Sequence, residues 1–203
     1  MSAGRHRLAW VSLAVVLVLV PGPVHAHLVS TGIGTFYDGL IHLYLSPEAL
    51  LPVLALAVLS GMTGAPTSRI VALAFPLAWL AGSVLGLQST GEQHWPWLTI
   101  TSFIGLGALI GFGLRLPLMG VIMLAVLTAG THGFVNASGV GDISAPVTYL
   151  AGSVTGVFIP VLIGSACAVS LRREWQVIAV RALGSWLAAV GILMLGWSLG
   201  GMS

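Results

Sequence analysis

Gly34-Thr35-Phe36-Tyr37-Asp38-Gly39-Leu40-Ile41-His42, running on to Ser46-Pro47-Glu48, sets two carboxylates and a histidine in surroundings that are almost wholly apolar. Only 6% of the 203 residues are charged and 57% are hydrophobic, with a mean hydropathy of +1.05. A water-soluble domain needs far more charge, so the chain reads as an all-α integral membrane protein. In such a chain an ionisable residue in or beside a span is a candidate functional group. On a helix, Asp38 and His42 stand one turn apart and share a face. The rest of the sequence reads as a bundle holding this cluster at one membrane surface.

On the N-terminal side, Arg5 and Arg7 precede an apolar run at 8–20 that Pro21-Gly22-Pro23 ends. Val24-His25-Ala26 supplies the small residues of a cleavage site. The run is about 13 residues and a span needs about 20, so residues 1–26 read as a signal peptide and 27–203 as the transmembrane domain. Cleavage after Ala26 would make His27 the new N-terminus. Its α-amino group and imidazole could then chelate one metal ion, an arrangement that suits nickel, copper or zinc. A solvated terminal residue is the plainer alternative.

On the C-terminal side, Ser46-Pro47-Glu48 reads as a helix start: a capping serine, proline at the first position and an acid in the first turn. The span it opens, 47–62, would be only about 24 Å long against a hydrocarbon core of about 30 Å. Residues 36–45 are therefore expected to form a short extra helix or re-entrant segment before it. Further spans are expected at 70–87, 97–114, 116–130, 146–169 and 177–199, giving a six-helix bundle. Arg69, Arg115, Arg172 and Arg173 then share the inner side, and the loops at 88–94 and 132–145 carry no Arg or Lys. That is the positive-inside pattern of a bacterial inner-membrane protein with its mature N-terminus outside. Arg181 lies a few residues into the last span and can snorkel to the inner side. Trp95, Trp97, Trp175 and Trp197 fall near span ends, as interfacial tryptophans do. Glycine pairs at four-residue spacing (Gly82/Gly86, Gly107/Gly111, Gly152/Gly156, Gly196/Gly200) suit close helix packing.

This topology puts His27, Asp38, His42, His94 and His132 on the outer side with Glu48, Glu92, Asn136 and Asp142. Asp38, His42 and His132 each abut an apolar helix and lead the candidates. Imidazole nitrogens with a carboxylate make a borderline site for nickel, cobalt, zinc or copper, or the carboxylate fixes a histidine tautomer from behind. A structural Asp38–His42 pair without metal is the competing reading. His94 and Glu92 read as solvated loop residues and Asp142 as a turn residue. Met119 and Met123 read as packing, and Cys167 as an inert packed thiol that excludes an internal disulfide. There is no lysine, basic run, phosphate-binding loop or Gly-x-Ser-x-Gly elbow, which argues against nucleic-acid binding, nucleotide hydrolysis and serine-hydrolase chemistry.

Tyr37-Asp38-Gly39-Leu40-Ile41-His42, Ser46-Pro47-Glu48-Ala49-Leu50-Leu51-Pro52, the His-Ala-His at the signal-peptide end and His132-Gly133 together resemble the HupE/UreJ family. The resemblance implies a small nickel or cobalt permease associated with hydrogenases and ureases, and no enzymatic activity. His42 matches the last histidine of the family's first motif. Ile41 stands at its aspartate position and Thr35 at its earlier histidine, so Asp38 would supply the carboxylate from one turn back. In the second motif His132-Gly133 match, Asn136 replaces the second histidine, and the acid is absent. The resulting expectation is uptake of Ni(2+) first or Co(2+) second through a metal site of His27, Asp38, His42, His132 and Asn136, with no tightly bound cofactor. Its partners would be the metal ion, the lipid bilayer and metalloenzyme-maturation proteins. A non-transporting metal-binding accessory protein for hydrogenase, urease or a related metalloenzyme is the alternative.

Overall fold

A computed structural model describes residues 31–138, 140 and 145–200. The signal peptide, His27 and Asp142 lie outside the described residues. Seven helices account for almost all of the described chain: α1 (Thr35–Leu45), α2 (Pro47–Thr63), α3 (Ala65–Gly86), α4 (Pro96–Gly111), α5 (Leu118–Ala137), α6 (Pro146–Val169) and α7 (Glu174–Gly200). Among the described residues there is no strand.

The short helix expected before the first span is α1. It meets α2 at a 77° bend. Pro47 has no N–H to continue the α1 ladder, and its ring forces Ser46 out of the helical region, to φ −112° and ψ 85°. Ser46 is buried and makes no side-chain cap, contrary to the expectation of a capping serine. Four helices, α3, α5, α6 and α7, are each long and apolar enough to cross a bilayer, and the bent α1–α2 pair taken as one span makes five. The third expected span, α4, has 16 residues, about 24 Å, which falls short of a hydrocarbon core of about 30 Å. It stops at Gly111 because Gly113 turns the chain with φ +66°.

α5 runs to Ala137, well past the expected end at 130, so His132 and Asn136 lie on the helix and not at its exit. The polar residues there do not break it because they bond within the bundle. Thr131 Oγ1 donates to the Leu127 carbonyl at 2.7 Å, and Ser83 Oγ of α3 donates to the Gly133 carbonyl at 3.1 Å.

Glycine lets the backbones touch. A Cβ on Gly82 would collide with the Gly130 carbonyl, and one on Gly86 with the Phe134 carbonyl, joining α3 to α5. Gly107 meets Ala188, and Gly111 meets Ser185, joining α4 to α7. Gly152 and Gly156 meet the Phe36 and Leu40 carbonyls, joining α6 to α1. Gly61 and Gly164 meet Ala168 and Ala57, joining α2 to α6. At the fourth pair, Gly196/Gly200, an added Cβ meets no atom within 4 Å. These matches also give direction. Residue numbers rise together for α3 with α5 and for α2 with α6, and run oppositely for α4 with α7.

α2 sits at the centre, with Val53, Leu56, Ala57 and Leu59 at 1% exposure or less. α7 lies outermost on α4 and buries only Gly184, Leu187 and Gly191. Its tryptophans Trp175, Trp186 and Trp197 point outward. Cys167, Met119 and Met123 are also exposed, against the expectation that they pack inside. In a bilayer an apolar side chain is as well placed facing lipid as facing protein, so apolarity alone does not predict burial.

Candidate functional site

A cavity of about 640 Å³ opens at one end of the bundle. Its wall is built from His42 of α1, the start of α2 with Ser46 and Glu48, the α3–α4 connection with Glu92 and His94, the first turn of α4, the last turns of α5 with His132 and Asn136, and Tyr149 of α6. α3 and α5 reach it with their C-terminal ends, and α4 and α6 with their N-terminal ends. Arg69 at the start of α3, Arg115 before α5, and Arg172 and Arg173 after α6 all lie toward the opposite ends of the same helices.

Six predicted outer-side residues therefore share one wall: His42, Glu48, Glu92, His94, His132 and Asn136. His94 and Glu92 are exposed, as their loop position suggested, yet the loop is held in place. Gln93 N–H donates to Ser138 Oγ at 2.8 Å, and Trp95 stacks on Phe134 with ring centroids 5.2 Å apart.

His132 is buried and its Nε2 lies 3.1 Å from Ser102 Oγ on α4. If Nε2–H donates to the serine, Nδ1 keeps its lone pair and can ligate; if the serine donates, the proton sits on Nδ1. Ser102 thus holds the ring in place, and its hydroxyl can serve either tautomer. The pair has the form of a nucleophile and base. However, Ser102 is not on the cavity wall, and among the described residues no carboxylate bonds the other ring nitrogen. Sequence reading missed Ser102 because an isolated threonine- and serine-bearing turn in an apolar helix gives no local signal.

Asn136 Nδ2 donates to Ser153 Oγ at 3.2 Å, and the same oxygen accepts Trp79 Nε1–H at 3.0 Å. This chain ties α5 to α6 and α3 and leaves the Asn136 amide oxygen uncommitted. Trp79 itself is fully buried and stacks on Phe75.

Asp38 is placed differently from the expectation. Its Oδ1 accepts both the N–H and the hydroxyl of Thr31, each at 2.6 Å. It does not line the cavity, and no hydrogen bond or ion pair joins it to His42. The carboxylate is turned back along α1 to fasten the segment before the helix. His42 instead lies against the Tyr149 ring, with centroids 6.2 Å apart. Among the described residues no three His, Cys, Asp or Glu side chains converge on one point. The donors are instead distributed around the opening.

Fold and cavity together define a multi-pass helical membrane protein with a histidine-lined opening at its arginine-free end. The HupE / UreJ protein family profile matches residues 15–194, nearly the whole chain, and the chain belongs to that family. It is 26% identical over 178 residues to Protein HupE of Rhizobium leguminosarum bv. viciae, covering 87% of this chain and 92% of that protein. No solved structure matches the chain.

Proposed function

We propose that the chain is a facilitated or secondary uptake permease for a divalent transition-metal ion, nickel first and cobalt second. The observation that carries this reading is the single cavity that gathers His42, His94, His132 and Asn136 from α1, a loop and α5. Imidazole with amide and carboxylate oxygen suits these borderline ions, and membership of the HupE/UreJ family supports the same role. The arginines at the far end make that end cytoplasmic by the positive-inside rule, so the cavity faces outward from the inner membrane. The α1–α2 pair and α4 would be the first and third of six crossings. The parallel pairing of α3 with α5 and of α2 with α6, and the antiparallel pairing of α4 with α7, are what a chain crossing at each step would give.

In this reading His42 and His132 ligate the ion, and Asn136 contributes its amide oxygen. Asp38 acts by anchoring Thr31. His27, four residues earlier, adds an amino–imidazole chelate once the signal peptide is removed. A specific feature favours a second reading, a metal-binding accessory protein serving hydrogenase, urease or a related metalloenzyme. Further along α3 from the cavity, Trp79 and Phe75 close the interior at 0% exposure.

Radioactive nickel and cobalt uptake, measured in vesicles at matched membrane expression, tests the choice. Saturable uptake that His42→Ala and His132→Ala each reduce at least about tenfold, the loss of one direct ligand, supports the permease. Tight binding by purified protein with uptake no greater than in empty vesicles selects the accessory role. Neither binding nor uptake rejects both.

A further inference from the structure

Tyr149 lines the cavity but its hydroxyl has no role in the site described so far. It enters from α6, with its ring against His42. The residue is 1% exposed, and among the described residues its hydroxyl is the one buried side-chain polar atom with no hydrogen-bond partner. The Asn136 amide lies beside it but falls short of hydrogen-bond geometry, and its Nδ2 is committed to Ser153. Deeper in, the Trp79 indole is paired with that same serine. The Asn136 and Trp79 N–H donors therefore share Ser153 as their partner, and among the described residues the Tyr149 hydroxyl meets none.

A buried hydroxyl without a partner is unfavourable, and native structures nearly always supply one. Packing does not require this oxygen. The ring sits among Ala137, Val140, Leu150, Leu80 and Leu87, and phenylalanine would fill the same space.

We propose that the Tyr149 hydroxyl contacts the cargo, accepting a hydrogen bond from a water of the hydrated divalent cation when the ion is held at His42. This rests on the metal-cation reading of the cavity. A divalent ion polarises its bound waters and makes them strong donors. A neutral phenol has lone pairs to accept from them, so the step is hydrogen-bond exchange and no covalent bond or proton is lost. The space is adequate: about six waters at about 30 Å³ each would occupy about 180 Å³, against the cavity's 640 Å³.

The test is Tyr149→Phe in the full chain, purified and in proteoliposomes, with Ni(2+) and Co(2+) as probes and His42→Ala alongside. The metal-free variant should unfold at the same temperature as the parent or slightly higher, because an unpaired buried oxygen has been removed. Nickel binding should weaken about three- to tenfold, the worth of one hydrogen bond. The metal-induced rise in unfolding temperature should shrink with it. If Tyr149→Phe binds and transports like the parent while His42→Ala loses binding, the hydroxyl is not a cargo contact. If Tyr149→Phe loses stability together with binding, the hydroxyl serves the fold and the inference is overturned. If the parent protein binds neither metal, the cation reading fails and this inference fails with it.

Discussion

Two hollows in this bundle are built by similar helices and differ in everything that matters for chemistry. One is the cavity at the arginine-free end, walled by His42, Glu48, His94, His132 and Asn136. The other is a gap of about 190 Å³ between α2, α4 and α7, lined by Leu51, Leu54, Val58, Ile110, Val180 and Leu187. Glycine-mediated contact flanks both: Gly82 and Gly86 beside the first, Gly107 and Gly184 beside the second. Close packing therefore builds the scaffold without specifying a site. The site arises only where glycine-packed helices end together and polar side chains can hold one another. Asn136, Ser153 and Trp79 do so on one side, and His132 and Ser102 on the other. The second hollow has no such groups.

The comparison can be broken most forcefully at α3. Gly82→Leu should drive a side chain into the Gly130 carbonyl and cost about 3 kcal/mol or more. Little folded protein should then be recovered from membranes, measured by detergent extraction and size exclusion. Intact recovery would show that the α3–α5 contact does not set the cavity wall. Next in size is Ser153→Ala, which frees Asn136 and strands the buried Trp79 N–H. The expected loss is about 2 kcal/mol in unfolding stability together with weaker metal binding. Loss of stability with unchanged binding would reduce this polar chain to a structural brace.

The smallest effect is expected beside the apolar gap. Arg181 Nε donates to the Gly111 carbonyl at 3.0 Å and Nη2 to the Phe112 carbonyl at 3.4 Å, at the C-terminal end of α4. The arrangement is exposed, so Arg181→Gln should cost less than about 1 kcal/mol and leave metal binding untouched. A change in binding would mean that the two hollows are coupled through α4.

The sequence reading went far with elements and less far with contacts. Residues 47–62 and 146–169 match α2 and α6 to within a residue, and three of the four glycine pairs lie in helix contacts. Apolar side chains were harder to place, as Cys167 and the two methionines show, because lipid and protein interior reward the same residues. Asp38 shows the same limit for a polar group. Its spacing to His42 is compatible with a pair, but Thr31, seven residues earlier, offers two donors at once and takes the carboxylate.

The sequence by itself determined the helical membrane class, the arginine-free end and the candidate residues His42, His132 and Asn136. Composition, charge asymmetry and local spacing depend only on neighbours in the chain. Only the tertiary structure decided that His94 and Glu92 join the same wall, that Ser102 faces His132, that Asp38 turns away, and that Tyr149 brings an unpaired hydroxyl. Each of these depends on residues from separate helices meeting in space, and side-chain hydrogen bonds at about 3 Å leave no trace in a pattern read along one chain.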